Sequence, residues 1–531
     1  MSQDTTERDA MTTTEVATGA DEVLAQRGDR RSLLKVGAAA VAGMMLPSIA
    51  GAQVRTKGPG GTGGRTPQPQ GTMPRPPGID PTLNWTSAPL RLARRITMGL
   101  TDAEAARATS MGYARYLEYH LATDAIDDSA VDKYVATTFP LLSQDVNTIY
   151  NADNGVLQNQ ISYSGMYRGA LSARPLKERL VEFWSDHFNI AYSKVGYLKV
   201  IDDRDVIRAN AMTTFPQLLK ASAHSAAMLG YLDQNTSNKN SPNQNYAREI
   251  MELHTLGVNG GYTQTDVAEL SRVLTGWTLA GRGTFTFNAA LHDYGAKTVI
   301  GTVIPAASTA TGAAAQQEGE TMLNVLVAHP STATFISTKM LMYFLRYDPS
   351  PAQIAEVAAV YSSSGGDIKA MLRTVLSQQN LMAAPAMFKR PYHMIISALR
   401  SLAPNVTVTN IAGIAGQINA AGQYPFTWQT PDGFPTSLEY WSGNMLPRWN
   451  AASFVSNRND AASIQFNVTP FMTPATPAAI VSQIDKYIFG GEITQRLRDE
   501  LTTYITTTPT SATRVRETIA LAMASSPFQY Y

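Results

Sequence analysis

Apolar residues recur every three to four positions along most of this chain, which is the spacing of amphipathic helices. The clearest case runs from Pro175 to Asn189, where six apolar or aromatic side chains share one face. Further helices are predicted over 101–111, 215–232, 263–277, 332–345, 351–362, 366–377, 387–402 and 411–421, and from Ala478 onward. The apolar face of the helix at 175–189 is formed by Leu176, Leu180, Phe183, Trp184, His187 and Phe188.

Two short segments carry the period-2 or β-branched pattern of strands instead. Residues 284–288 (TFTFN) alternate between polar and aromatic side chains, and residues 298–303 are rich in valine, isoleucine and threonine. We predict that they form one small β-hairpin inserted into the helices. The predicted fold is therefore mainly α, a large multi-helix domain over residues 87–531 that has either one core or two fused helical subdomains.

The first 86 residues follow a different pattern. Arg30 and Arg31 precede an apolar run over 36–50 that ends in Ala50-Gly51-Ala52. This order predicts a twin-arginine signal peptide over residues 1–52, although an uncleaved anchor is the alternative. Residues 53–86 are rich in proline and glycine and predict a disordered linker. We expect a periplasmic or extracellular protein with no transmembrane anchor after cleavage.

Composition excludes several classes of chemistry. The chain contains no cysteine, so thiolate nucleophiles, iron–sulfur clusters and c-type haem attachment are not expected. Residues 1–52 contain 5 of the 43 Lys+Arg and 7 of the 42 Asp+Glu residues, which leaves 38 basic and 35 acidic residues. That balance gives no reason to expect nucleic-acid binding. No Gly-rich phosphate loop or GxSxG motif occurs, so neither a nucleotide nor a catalytic serine is expected, whereas a divalent metal on His, Asp or Glu stays open.

The segment from Asn243 to Trp277 has the most unusual polar pattern. At 100° per residue, Asn245, Arg248, Glu249, Glu252 and Thr255 fall within about a third of a helix circumference. One interpretation is a solvated stripe in which Arg248 and Glu252 form an ordinary i,i+4 pair. The wide apolar arc opposite favours a helix that is largely inside the protein.

Two buried carboxylates so close together cannot both ionise at low cost. One would keep its proton, pair with Arg248 or bind a cation, and a raised carboxyl pKa beside a fixed carboxylate suits acid–base hydrolysis. Glu249 and Glu252 are thus predicted catalytic residues, with Arg248 and Asn245 positioning the substrate. Because two side chains on one helical turn cannot bracket a scissile bond, a second carboxylate from another element is required.

Five other residues are candidates for the same site. His187 and His254 could approach it, although a structural role in the core is favoured for both. His292 and Asp293, with Lys297, stand in the predicted hairpin loop, where packing constrains function less. Arg94 is the fifth. Asp266 fits a helix capping box with Thr263, which favours a structural role.

Three stretches of the sequence resemble one bacterial family, the domain of unknown function numbered 1800. They are LARRITMGLTDAE (92–104), LKERLVEFWSDHFNI (176–190) and the long central block over 227–278. The resemblance implies an all-α secreted protein that is often encoded beside another twin-arginine-exported protein, and it implies no established activity. Ser185-Asp186 before His187 departs from the more amide-like pair expected of the family.

Three functions follow from these features, and whether the protein is an enzyme stays open. The first is a cell-envelope hydrolase-like protein that acts on glycans through the carboxylates of the helix at 244–257. The second is a non-catalytic binding or assembly factor that works with a co-exported partner. The linker and the near-neutral charge support this function. The third and weakest is a metal site made of Glu249, Glu252 and either His187 or His254.

Overall fold

The computed structural model describes residues 85–531, except 474–475 and 508–509 and the side chains of 309–311. The chain divides into two units, Met1–Gly78 and Ile79–Tyr531, and the described residues all belong to the second. The predicted signal peptide (1–52) and all but the last two residues of the predicted linker (53–86) lie outside the described residues.

The predicted mainly α fold is confirmed. The α-helices are named α1 to α26 in chain order. They are α1 Ala88–Ile96, α2 Asp102–Met111, α3 Tyr113–Leu121, α4 Ser129–Thr138, α5 Val146–Asn151, α6 Asn154–Leu171, α7 Pro175–His187, α8 Tyr192–Val195, α9 Leu198–Ile201, α10 Phe215–Ala223, α11 Ala226–Tyr231, α12 Gln244–Glu249, α13 Gln264–Val273, α14 Gln316–Ala328, α15 Pro330–Phe344, α16 Pro351–Ser364, α17 Ile368–Val375, α18 Gln378–Ala383, α19 Pro391–Ser401, α20 Ala412–Ala420, α21 Leu438–Trp441, α22 Met445–Asn457, α23 Thr469–Met472, α24 Pro477–Ile484, α25 Gln495–Thr506 and α26 Ala512–Ala524.

Shorter helical turns join these elements. Three are π-helical, over Asp202–Arg208, Ile250–Thr255 and Asp485–Phe489. Each directly continues an α-helix, so the chain keeps turning in the same sense but more widely. The 3₁₀ turns are Thr123–Ala125, Pro140–Ser143, Gln234–Thr236, Ala289–Leu291, Thr309–Ala315, Ala403–Asn405 and Ser526–Gln529.

The β-structure is small but is divided differently from the predicted single hairpin. Within the described residues it forms three two-stranded antiparallel sheets. The segments 284–288 and 298–303 do not pair with each other, because each finds a closer partner across a short turn. The strands are β1 Trp277–Ala280 with β2 Thr284–Phe287, β3 Lys297–Val299 with β4 Thr302–Ile304, and β5 Val406–Val408 with β6 Ile464–Phe466.

The predicted helix over 215–232 is also two helices. The side chain of Ser225 accepts a hydrogen bond from the backbone N–H of Met228, so Ser225 caps a new helix, α11, after α10 has ended. Tyr231, the last residue of α11, donates a hydrogen bond from its hydroxyl to the carbonyl of Gln429 in the segment after α20.

Buried apolar side chains form two large clusters. One is built mainly from α1 to α3, α7 and α10 to α18, and the other from α6, α19, α20, α22 and α24 to α26. Helix α19 is buried along its whole length, which explains why its sequence, PYHMIISALRS, shows no polar face. Among the helices described, none has both the length and the apolar character that crossing a bilayer requires.

Candidate functional site

Helix α12 and the π-turn Ile250–Thr255 carry the polar arc predicted from sequence. The side chain of Asn243 begins the helix by accepting hydrogen bonds from the N–H groups of Asn245 (2.9 Å) and Tyr246 (3.2 Å). Tyr246 and Met251 anchor the opposite side, since both are fully buried. This packing fixes which face of the helix the acidic residues occupy.

The π-turn changes the predicted arc at its C-terminal end. The N–H of Leu256 donates to the carbonyl of Met251, five residues earlier, at 2.7 Å. A wider turn rotates each following residue by less than 100°. Thr255, predicted to share the arc with the glutamates, is therefore buried instead, and its hydroxyl donates to the carbonyl of Ile250 (2.6 Å).

Glu249 and Glu252 remain on one side of this helix and are both half-buried. Burial, followed by the negative charge of Glu252, raises the pKa of Glu249 to about 7, although the positive charge of Arg248 opposes the rise. The hydroxyl of Tyr262 donates to Oε2 of Glu252 at 3.2 Å. Glu252 thus has a hydrogen-bond donor, whereas the raised pKa of Glu249 leaves that carboxyl group partly protonated near neutral pH.

Arg248 and Asn245 are more open. The guanidinium of Arg248 donates to Oε1 of Gln264 at 2.8 Å, and the amide of Gln264 donates to Gln244. Among the described ion pairs, none joins Arg248 to Glu252, so the ordinary i,i+4 pair is not formed. Asn245 is exposed, with its side chain at the rim of the arc.

Asp432 is a candidate for the second carboxylate that the sequence analysis required. Its negative charge also raises the pKa of Glu249, and it contributes in the same way to Tyr231, whose pKa rises to about 12 mainly through burial. Asp432 is exposed and accepts hydrogen bonds from the indole N–H of Trp428 (2.9 Å) and the hydroxyl of Thr430 (2.5 Å). Carboxylates from two separate elements therefore interact electrostatically.

Asp432 belongs to the irregular segment over 423–436, here called the 423–436 loop. The amide of Asn189, just after α7, donates to the carbonyls of Trp428 (3.0 Å) and Thr430 (2.7 Å). The hydroxyl of Tyr231 donates to the carbonyl of Gln429 (2.7 Å). Gly433 has a φ of +75°, and a Cβ there would overlap the backbone oxygen of Asp186. The loop is thus fixed against α7 and α11.

His187 and His254 lie together in the core rather than at the acidic arc. His187 Nε2 is 3.2 Å from the carbonyl oxygen of His254, and the two ring centroids are 6.2 Å apart. Burial lowers the pKa of His254 to about 3 and lowers that of His187 well below its usual range, so both rings are neutral at pH 7. The described contacts join neither ring to Glu249 or Glu252.

Lys339 of α15 interacts electrostatically with these histidines and with Asp432 of the 423–436 loop. Burial lowers its pKa to about 8, although the negative charges of Asp186 and Asp432 oppose the change. Its positive charge also lowers the pKa values of both histidines. Lys339 therefore interacts electrostatically with both Asp186 of α7 and Asp432 of the loop.

The remaining predicted site residues belong to other clusters. His292 is buried, with Nδ1 2.7 Å from the carbonyl of Thr275 and Nε2 3.3 Å from Glu318, which also binds Lys297. Asp293 pairs with Arg272 at 2.7 Å. Arg94 is buried, pairs with Glu492 at 2.6 Å and stacks on Trp85. None of the described contacts of these three residues reaches Glu249. Asp266 completes the capping box with Thr263.

A cavity that the sequence analysis missed lies along the polar face of α7. It has a volume of about 630 Å³, which includes its open mouth. Helix α7 contributes Glu178, Val181, Glu182, Ser185 and Asp186 at spacings of three and four residues. We call it the α7 cavity. Its other walls include Ser162, Gly165 and Gly169 of α6, Asp203 and Arg208 of the π-turn after α9, Tyr392 of α19, and Gln423, Phe426 and Phe434 of the 423–436 loop.

Two arginines pair with the four acidic side chains of the α7 cavity. Arg208 donates to both Glu178 (3.0 Å) and Asp203 (2.8 Å). Arg390 pairs with Glu182 and with Asp186 (2.5 Å), and the hydroxyl of Tyr343 donates to Glu182 at 2.8 Å. The sequence carried a signal for this site, because three acids four residues apart on one helix repel one another unless another element supplies cations.

Across the residues that the structure describes, no group of three or more His, Asp or Glu side chains is arranged to hold a metal ion. Among curated proteins and among solved structures, none matches this chain. A family model described as "Protein of unknown function (DUF1800)" matches residues 91–530, which include both the acidic arc and the α7 cavity. The chain is thus a member of the DUF1800 family.

Proposed function

We propose that this protein is an exported hydrolase-like enzyme that cleaves a glycan of the cell envelope, with Glu249 as its proton donor. The observation that carries the proposal is the half-buried position of Glu249 beside Glu252, which raises its pKa to about 7. A carboxyl group that is half protonated near neutral pH can both give and accept a proton.

Asp432 is the second carboxylate of the proposed reaction. It comes from an element about 180 positions away in the chain, so it can approach a bound substrate from a different side than Glu249 does. In the proposed step, Glu249 donates its proton to the leaving oxygen as the glycosidic C–O bond breaks. Asp432 accepts a proton from water, whose oxygen forms the new bond to the sugar carbon. Glu252, with Tyr262, keeps a negative charge beside Glu249 and so keeps its pKa high.

Arg248 and Asn245 are proposed to bind hydroxyl groups at the rim, because both are accessible from outside and neither has a carboxylate partner within the described contacts. The extracytoplasmic location rests on the twin-arginine pattern at Arg30 and Arg31. We propose a glycan as the substrate because of that location and because most glycoside hydrolases use a pair of carboxylates.

The experiment measures the release of reducing ends from isolated envelope polysaccharide. We expect the unchanged protein to release them and Glu249→Gln and Asp432→Asn to reduce the rate at least 100-fold. Glu356→Gln is the matched control, because Glu356 is exposed on α16 and far from the site in sequence. Equal rates in Glu249→Gln and the unchanged protein would refute the proposal, as would the absence of any release.

A further inference from the structure

The α7 cavity holds more hydrogen-bonding capacity than the protein itself uses. Asp203 is 6 % exposed, and only its Oδ2 has a partner, Arg208. Its Oδ1 is buried without a hydrogen-bond partner in the described structure, and so is the hydroxyl of Ser185. Both residues line the cavity. Buried polar atoms are almost always satisfied in folded proteins, so atoms left free inside a cavity indicate a ligand or water that completes them.

The charges of the cavity favour a ligand with no net charge. Four carboxylates line it, but Arg208 and Arg390 each bridge two of them, and the charge of Lys339 acts on Asp186 as well. A multivalent anion would meet carboxylates on several sides. A cation would compete with arginines that already hold those carboxylates in short, charge-assisted contacts. What remains free is the capacity to accept and donate single hydrogen bonds.

Apolar surfaces complete the lining. Phe426 and Phe434 enter from the 423–436 loop, and Tyr392 and Val181 enter from the helices. A sugar ring matches this combination, because its hydroxyl groups donate and accept single hydrogen bonds while its C–H faces pack on aromatic rings. Pockets that combine apolar walls with a few convergent polar atoms are the usual form of small-molecule sites.

The 423–436 loop connects this cavity to the proposed catalytic carboxylates. Phe434 lines the cavity, Gly433 lies against the backbone oxygen of Asp186, and the preceding residue, Asp432, is close enough for its charge to act on Glu249. We infer that the α7 cavity binds a neutral sugar unit of the glycan whose neighbouring bond lies at Glu249 and Asp432. This inference rests on the proposed function for the identity of the polymer, but the binding of sugar in the cavity can be tested separately.

The test uses the intact chain carrying Glu249→Gln, so that binding is measured without turnover. A panel of neutral, anionic and cationic oligosaccharides is titrated by calorimetry. We expect neutral members to bind and Ser185→Leu, which fills the cavity, to weaken their binding at least 10-fold. Ser185→Ala, which removes only the hydroxyl group, should weaken it about 3-fold. Because the Ser185 hydroxyl has no protein partner, neither variant breaks a hydrogen bond of the fold, and thermal unfolding checks this.

Binding of charged members only, or equal binding in Ser185→Leu and in the parent, would overturn the inference. The two proposals fail separately. If neutral sugars bind but no protein releases reducing ends, the proposed function fails and the cavity assignment stands. If the unchanged protein releases reducing ends and Ser185→Leu does so at the same rate and KM, the cavity assignment fails and the proposed function stands.

Discussion

Helices α12 and α7 both carry acidic side chains near the 423–436 loop, yet the two groups of acids are held in opposite ways. On α7, Arg208 and Arg390 together pair with three carboxylates, and Arg208 also pairs with Asp203 of the π-turn after α9. On α12, Glu249 has the like charges of Glu252 and Asp432 nearby and only Arg248 to oppose them. A compensated group of acids can stay charged and bind, whereas an uncompensated acid retains a proton that it can transfer.

The largest expected effect comes from removing the cation on the compensated side. Arg390→Met leaves Glu182 and Asp186 buried without their shared partner, which should lower the free energy of unfolding by about 3–5 kcal/mol. Arg248→Met is the matched control on the other helix, and it should cost less than about 1 kcal/mol. Denaturant unfolding of both variants measures the difference, and equal losses would remove the distinction between the two helices.

The next effect is on the loop that the two regions share. Gly433→Ala places a side chain against the backbone oxygen of Asp186 at a positive φ, so we expect a loss of about 2–4 kcal/mol in unfolding free energy. If the loop moves away instead, Asp432 moves with it, and the pKa of Glu249 falls. Gly443→Ala is the control, because a Cβ there meets nothing within 4 Å. A Gly433→Ala variant that matches this control in stability and in the Glu249 titration would contradict the described contact.

A smaller effect of opposite sign is expected at Glu249. Its pKa is about 7 in the folded protein and 4.5 in the reference state, so the folded state binds the proton more tightly. The tighter binding of this proton stabilises the folded state fully below pH 4.5, and the stabilisation is lost as the pH rises through 7. Glu249→Gln should therefore raise the unfolding free energy at pH 8 by about 1–3 kcal/mol and leave it nearly unchanged at pH 4.5.

Chemical denaturation at the two pH values measures this difference, with Glu356→Gln as the control that should change neither. An equal effect of Glu249→Gln at both pH values would show that the carboxyl group is not protonated near neutrality. The stabilisation should accompany a loss of activity, as is common for residues held in an unfavourable state for function.

The smallest effect concerns the partner of Glu252. Tyr262→Phe removes the hydroxyl that donates to Glu252, which should cost about 0.5–1.5 kcal/mol in unfolding free energy above pH 5. Without that donor the negative charge of Glu252 is less favourable, so the pKa of Glu249 should fall slightly by NMR titration. Tyr440→Phe is the control, because Tyr440 is exposed. An unchanged Glu249 pKa would mean that Glu252 is held by other groups.

The sequence predicted those features that depend on near neighbours in the chain. The helical periodicity, the Thr263–Asp266 capping box and the shared side of Glu249 and Glu252 all follow from spacings of three or four residues. The π-turn could not be predicted from the sequence, because its hydrogen bonds differ from those of an α-helix by one residue while the sequence pattern is nearly the same. Thr255 was therefore predicted on the wrong side.

Contacts between distant segments could not be predicted. Asp432 stands in a Pro- and Gly-rich loop whose path depends on hydrogen bonds from Asn189 and Tyr231, and no local pattern encodes them. The polar face of α7 was visible as Glu178, Glu182 and Asp186, but the apolar face of the same helix dominated its interpretation. The structure shows that these acids line a cavity and that Arg208 and Arg390 pair with them.

The π-turn at Ile250–Thr255 has a consequence for how related chains could vary. It accommodates one residue more than an α-helix of the same rise would hold. Deleting one residue there would let the helix close normally and would swing everything downstream by about 100° around its axis. Glu249 precedes the turn and would keep its place, while Tyr262 would be carried to a new azimuth. A change of one residue in length is therefore enough to exchange the neighbours of the proton donor without moving the donor itself.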